Sequence, residues 1–541
     1  MKIFTLCKPY LLSQKYTLAT YVLIILFSTA IAVIVPYVIG DFIDNLIEGA
    51  DANVILRFCV IFGGLSLINI IKGYVTSVMN VKMQNKMGYA LNMDTIQHIQ
   101  GLSLSYANKQ DNAYLNQRVN NDANSLIGFC VAVLQSVITN TIILVATFAV
   151  LFTIHRFITV LMMGFLAVYA ISYFAFKKPL YNVGMVFREK QAEFFSKLFE
   201  QLKYIKLIKI NSIQAEMNKR ADDSFIDFNH SAIRSQKINY LYNGLDGIIS
   251  TIAQIVLFVI GGLQILAGNF TIGMFTIFTS YFNMMLGASR YFFNLGSYYQ
   301  NTMVSYNRLK EIFKHNIETN GTETIYNINE IGLHNISFSY DDSKNVLIDF
   351  NVKFEKGNIY TIAGANGAGK STLINLIMGM YVDEYVGGIT YNGIDVRRIN
   401  MIETRKNLLG FAEQEPLLIS DSIQYNLMHN NNKADECLEI LNMKEFINKH
   451  TLSFVINETN SNISGGEKQK IAILKVLCKN PAVMIFDEPT SALDALTTEK
   501  FINHLHHIKK DKIIIIISHD DIAKKRCDKL IKLLRRHGNG G

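Results

Sequence analysis

Long runs without a charged side chain dominate the first three hundred positions, and their lengths suit membrane spans better than one face of a soluble helix. Thr17 to Ile39 carries no charge and meets the ~20 residues that a helix needs to cross the hydrocarbon core of a bilayer. Phe58 to Ile71 is shorter and bounded by Arg57 and Lys72. It spans if those long side chains snorkel, or if the helix runs on through Val81. Ser125 to Ile154 and Phe157 to Phe176 are uncharged and separated only by His155-Arg156, which predicts a tight helical hairpin. Gly247 to Ser289 is uncharged and too long for one span, with turn residues in Ala267 to Gly273 near its middle. The pattern therefore predicts six spans.

The connections give orientation. The short segment after the first span carries Asp41, Asp44, Glu48 and Asp51 without Lys or Arg, whereas Lys177 to Lys237 is rich in both. Basic segments stay on the cytoplasmic side, so the N-terminus and everything after the sixth span are expected in the cytoplasm. The longer connections, Tyr89 to Leu102 and Phe187 to Phe228, read as helices that continue beyond the bilayer. Lys2, Lys8 and Lys15 ahead of the first run look like the start of a signal peptide. That run is too long for one, and no small-residue cleavage site follows it.

Composition adds little to this. In a chain of 541 residues, 50% hydrophobic and 18% charged, the apolar share sits in the first part, as a membrane domain followed by a soluble one requires. The net charge of +8 follows from the cytoplasmic bias, so no nucleic-acid partner is implied. The six cysteines, Cys7, Cys59, Cys130, Cys437, Cys478 and Cys527, form no CxxC or Cys/His spacing. They read as reduced and unpaired, with no structural metal.

The second part carries the chemistry. Ile331 to Tyr340 alternates as a strand does, and Ile359 to Ala363 is a strand feeding into Gly364-Ala365-Asn366-Gly367-Ala368-Gly369-Lys370-Ser371-Thr372, after which Leu373 to Met378 reads as a helix. Strand, glycine-rich loop and helix in that order form a phosphate cradle. Backbone N–H groups and the helix N-terminus face phosphate oxygens, Lys370 reaches the terminal phosphates, and the Ser371 hydroxyl ligates Mg²⁺. Pro481 to Phe486 is a continuous apolar run that suits a buried parallel strand, and it ends in Asp487-Glu488. Asp487 is placed to hold Mg²⁺ through water, and Glu488 to act as general base on the attacking water.

Between the cradle and that acidic pair lies Asn462-Ile463-Ser464-Gly465-Gly466-Glu467-Lys468-Gln469-Lys470. With this stretch in place the chain resembles the ATP-binding-cassette (ABC) family, as an exporter-type half-transporter. The resemblance implies a multidomain membrane protein: an all-α six-helix transmembrane domain over 1–315, a linker over 316–328, and an α/β P-loop nucleotide-binding domain over 329–541. It assigns Tyr340 to stacking on adenine, and Gln414 to contacting Mg²⁺ and coupling to the membrane helices. Asp494 becomes the acid of the loop after Glu488, and His519 the switch contacting the γ-phosphate. Ser464, Gly465, Gly466 and Glu467 contact the ATP of the opposite subunit. One cradle and one such segment per chain then require a dimer, of two copies or with a related half-transporter. Gly101 to Tyr106, with Arg118 and Asp122, resembles the family's first coupling region, and Ile210 to Ile213 with Glu216 the second. Ile463 replaces the usual Leu, and Glu467 stands where Gln is commoner. Thr459-Asn460 after Glu458 depart from the exporter pattern, and the stretch after His519 is shorter than usual.

The implied function is ATP-driven export of an amphipathic peptide, such as an antimicrobial peptide, or of a drug, across the cytoplasmic membrane by alternating access. A lipid or lipid-linked-sugar flippase is the runner-up. An ATP-gated channel or regulator and an importer remain as further alternatives. No peptidase segment precedes the first span, so a peptide cargo would be trimmed elsewhere. Aromatics, methionines and amides mix between Tyr281 and Tyr299, a surface that adapts to amphipathic ligands. Within it Arg290, with Asn283 and Asn294, is expected to face the cavity and contact cargo, since a charge in a membrane usually faces protein or water.

Overall fold

The computed structural model describes residues 2–49, 51–109, 115–116, 118–340, 345–427, 434–457 and 462–533. The departure noted at Glu458, Thr459 and Asn460, and the tail from Arg535, lie outside these. The chain divides into two compact units, Met1–Gln97 with Asn112–Lys314, and His98–Asp111 with His315–Gly541.

The first unit is helical: α1 (Lys2–Ser13), α2 (Lys15–Ile47), α3 (Ala52–Gln100), then after the six-residue α4 (Leu104–Lys109) come α5 (Ala123–Ile154), α6 (Arg156–Lys203), α7 (Ile205–Asn211), α8 (Gln214–Leu266) and α9 (Ile272–Lys314). Among the described residues, five helices are long and apolar enough to cross a bilayer: α2, α3, α5 with the turn before it, α6 and α8. The expected sixth, α9, has the length at 43 residues, but Thr279, Ser280 and Asn283 dilute its apolar stretch. The weak second span is resolved by continuation, because α3 runs unbroken for 49 residues. The apolar stretch of α3 is unburied, as a lipid-facing surface is.

The stretch Phe187 to Phe228, read as continuously helical, is broken twice. The first break is at Tyr204. The second is at Ser212, whose φ of 53° puts it in the left-handed region that ends helices. The two breaks set off α7, and α6 packs back on α8 through Phe194 and Phe228, stacked at 5.4 Å. The helical hairpin expected around His155-Arg156 forms, and the His155 side chain caps α6 by accepting from the Ile158 N–H. At the same end of the spans as this hairpin, where the His155 ring lies 6.0 Å from that of Phe270, α2 and α9 touch backbone to backbone. A Cβ on Gly273 would lie 2.1 Å from the Gly40 carbonyl oxygen, and the Asp44 carboxylate accepts from the Thr271 hydroxyl and the Gly273 N–H, each at 2.6 Å. Small residues are what allow such a crossing.

The second unit holds β1 (Glu330–Ser339), β2 (Asn345–Glu355), β3 (Ile359–Gly364), β4 (Tyr385–Tyr391), β5 (Ile394–Asp395), β6 (Leu409–Ala412), β7 (Val483–Asp487), β8 (Ile513–Ile517) and β9 (Lys529–Leu533). The described strands form an antiparallel sheet in the order β2-β1-β4-β5 and a parallel sheet in the order β6-β7-β8-β3-β9. All five residues of β8 are buried, because both faces of the parallel sheet are covered. Ile513, Ile515 and Ile517 pack toward α10 (Lys370–Ile377). Ile514 and Ile516 pack toward α11 (Gly465–Lys479) and α12 (Ala495–Ile508). The C-terminal ends of β3 and β7 therefore open on one edge, where ligands of open α/β sheets bind.

The short helix α4 belongs to this second unit. Its Ser105 hydroxyl donates to the Glu384 carboxylate, Gly101 accepts from the Glu318 N–H at 2.7 Å, and Lys109 Nζ donates to the Tyr340 carbonyl at 3.3 Å.

Candidate functional site

After β3 the backbone turns through Gly367 and Gly369, with φ of 77° and 89°. Residues with a Cβ resist that region, and at Gly369 a Cβ would also meet Val346 Cγ1 at 3.0 Å. The turn delivers Lys370 to the first position of α10. Its ammonium donates to the Gly364 carbonyl at 2.8 Å and to His519 Nε2 at 2.7 Å. Tyr340 is 41% exposed and its hydroxyl lies 2.9 Å from Thr372 Oγ1, leaving its ring at the mouth of the site.

β7 supplies the acidic pair. Burial, and then the neighbouring Glu488, push the Asp487 carboxyl up to about 6, with Lys370 opposing. A carboxylate that costly to ionise is stabilised by a cation brought against it. Glu488 occupies the left-handed region at φ 46°, uncommon outside glycine. Its carbonyl accepts from Gln469 Nε2 and Ser491 Oγ, both at 2.9 Å, and its N–H donates to the Ile517 carbonyl at 2.9 Å. Gln414 Nε2 donates to Glu488 Oε2 at 2.9 Å, and His519 Nε2 stands 3.9 Å from Oε1.

Tyr340, Asn366, Gly367, Gly369, Lys370, Ser371, Thr372, Gln414, Asp487, Glu488 and His519 line one cavity of about 730 Å³, within the ~300–1,000 Å³ of small-molecule sites. Gly364, Ala365 and Ala368 shape the loop without lining it. Ser464, Gly465, Gly466, Glu467 and Asp494 lie outside the lining. Ser464 and Glu467 form a capping box on α11: the Glu467 carboxylate accepts from the Ser464 N–H at 2.6 Å, and Ser464 Oγ accepts from the Glu467 N–H at 3.3 Å. Asp494 caps α12 by accepting from the Thr497 N–H at 2.8 Å, and that N–H with the Thr497 hydroxyl holds its carboxyl below the ordinary range.

Gln469 and Ser491 are the residues that motif reasoning passed over. Gln469 is a buried amide on a helix whose other buried positions are apolar or Cys, and such a group needs a polar partner. Among the described residues no cluster of three or more His, Cys, Asp or Glu could hold a metal alone. One hydroxyl, one amide and a buried acid beside a cradle for phosphate fit Mg²⁺, which is bound by few protein oxygens together with substrate phosphates.

In the membrane unit the three expected cargo residues separate. Asn283 Oδ1 accepts from Gln254 Nε2 at 3.2 Å. Arg290 forms an ion pair with Asp246 at 2.9 Å, its guanidinium 5.8 Å from the Tyr169 ring centroid. Asn294 lines a cavity of its own between α6, α8 and α9, of about 610 Å³.

Comparison with known proteins agrees with both halves. The family model for the ABC transporter transmembrane region matches residues 18–289, and that for the ABC transporter matches 347–491. The chain is 26% identical over 514 residues to ABC transporter B family member 1 of Dictyostelium discoideum, covering 92% of this chain and 56% of that protein. It is 26% identical over 526 residues to the lactococcin-G-processing and transport ATP-binding protein LagD of Lactococcus lactis, covering 94% of this chain and 73% of that one. The chain thus spans little more than half the length of the first and about three quarters of the second. The fold matches the solved structure of a bacterial Atm1-family ABC exporter with ATP bound, at a TM-score of 0.83 and 17% identity over 96% of this chain and 93% of that one. With both family models matched along its length, this chain is a member of the ABC transporter family, a multi-pass membrane protein with a cytoplasmic nucleotide-binding domain.

Proposed function

We propose that the chain is one half of a dimeric, ATP-driven exporter of amphipathic peptides. The observation that carries the reading is the completeness of the hydrolytic set: Glu488 has one carboxylate oxygen held by Gln414 and the other facing His519, in the same chain as the membrane helices. A gate that only senses ATP needs no positioned base.

Lys370 exchanges its contacts with Gly364 and His519 for the terminal phosphates of ATP, which frees His519 to contact the γ-phosphate. Gln414 fixes the carboxylate of Glu488, which takes the proton of the attacking water. The N-terminus of α11, opened by Ser464, offers its N–H groups and positive end to the ATP bound by the partner. Mg²⁺, held by Ser371, Gln414 and, through water, Asp487, would neutralise the phosphate charge that develops in the transition state. Two ATP molecules clamp the nucleotide domains and hydrolysis releases them. The γ-phosphate is the differential contact that a two-state cycle requires. Adaptable Met and aromatic residues on α9, and the likeness to a lactococcin-G-processing and transport protein, favour a peptide over a lipid.

Reconstitution in vesicles tests this. Inside-out vesicles should accumulate a fluorescent amphipathic peptide when supplied with ATP and Mg²⁺. ATP turnover with labelled lipid moved and peptide left behind would refute the peptide reading, and absence of turnover would refute the exporter reading altogether.

A further inference from the structure

We infer that the cavity between α6, α8 and α9 recognises the negatively charged end of a peptide cargo. It lies wholly within the membrane unit, and its volume of about 610 Å³ suits a small-ligand site. Lys177, Lys178 and Arg188 line it together with Asn239, Asn294 and Asn301, and none of its lining residues is a carboxylate.

Cytoplasmic ends of spans collect lysines anyway, so position alone says little. These three cations share a cavity whose wall supplies no counter-ion. Elsewhere in the same unit Lys190 is paired with Glu193 and Asp227 at 3.0 and 3.1 Å, Arg290 with Asp246, and Arg220 with Glu216. Among the described residues Lys177, Lys178 and Arg188 have no ion pair, and Arg188 donates only to the Asn301 amide oxygen, at 2.9 Å. Uncompensated positive charge in a partly walled cleft focuses its field on an anion. The amides add a second requirement. Each offers both donors and an acceptor, which matches peptide N–H and C=O groups better than a phosphate headgroup that only accepts. Tyr173, Phe174 and Tyr242 complete the wall on the apolar side. Arg290, by contrast, is already neutralised, so the anion contact falls to the lysines.

This inference rests on the peptide-export reading, and one experiment separates the two. The probes are a dye-labelled hexapeptide of leucine and phenylalanine ending in glutamate with a free C-terminus, and its amidated glutamine counterpart. Binding to the full-length protein in neutral-lipid nanodiscs is followed by fluorescence anisotropy. The anionic probe should bind about tenfold more tightly, as two exposed charge contacts of ~0.5–1 kcal/mol each would give. Lys177→Glu with Lys178→Glu should abolish or reverse that ratio, a result that misfolding cannot produce because the neutral probe reports on the same cavity. Equal binding of both probes, or an unchanged ratio in the double variant, overturns the charge assignment while the peptide reading stands. Binding of neither probe overturns both. Displacement of the anionic probe by nanodiscs containing phosphatidylglycerol would show a lipid headgroup site and overturn the peptide assignment.

Discussion

Replacing Glu488 by Gln isolates the proton-transfer step. The amide is isosteric, and its oxygen can still accept from Gln414 Nε2, which lies 2.9 Å from Glu488 Oε2 in the parent. The backbone strain at φ 46° is the same for both side chains, and the holds of Gln469 and Ser491 act on the main-chain carbonyl. Folding stability should therefore move by no more than ~0.5 kcal/mol. The loss falls on chemistry: a positioned base contributes about 10²–10⁴-fold, equal to about 3–5 kcal/mol of barrier. Steady-state phosphate release measures the rate, and a fluorescent ATP analogue measures binding in the same preparation. Release should drop by at least about a hundredfold with binding retained, leaving a closed dimer that holds its ATP. A variant releasing phosphate within about tenfold of the parent would show that another group activates the water.

Lys370→Ala should act on the other quantity, weakening ATP binding itself by removing a charge-assisted contact of about 1.5–3 kcal/mol; unchanged affinity would remove Lys370 from the phosphate site. Cysteines at Ser464 and Asn366, in a background without the six native cysteines, should crosslink between chains only when ATP is bound. Crosslinks within one chain would defeat the shared-site dimer. Arg290→Ala should lower the melting temperature, and adding Asp246→Ala should restore part of it, with a coupling of ~0.5–1 kcal/mol from the double-mutant cycle. Strictly additive effects would mean that the ion pair contributes nothing.

The residues that line the cavity beside β3 and β7 were legible because its parts are contiguous. A glycine loop between a strand and a helix, or two acids ending an apolar strand, carries its geometry in adjacent residues. Five of the six expected spans stand out as charge-free runs in long apolar helices, whereas α9 has the length but a more polar stretch. What escaped were contacts between distant positions. Asp246 and Arg290 bound the same uncharged run, and folding that run about its central turn brings its two ends together. The pairing was readable in principle, yet Arg290 by itself suggested a cargo contact. The breaks at Tyr204 and Ser212 left no glycine or proline signal, since a serine adopts the left-handed region there. Nothing local marked Gln469 as the residue that holds the Glu488 carbonyl, because that hydrogen bond exists only once α11 is packed against the end of β7.

That hydrogen bond has a consequence for the proposed dimer. Gln469 lies on the helix whose first turn begins at Ser464, and Ser464 would face the nucleotide of the opposite subunit. In that dimer the same helix, 15 residues long, would touch one ATP through its N-terminus while its second turn holds the Glu488 carbonyl of the other site. Each subunit's readiness to hydrolyse becomes conditional on what its neighbour has bound, a crossed wiring of the two sites. A heterodimer with one impaired site would then lose more than half its turnover, because the silent site would also withhold support from the working one.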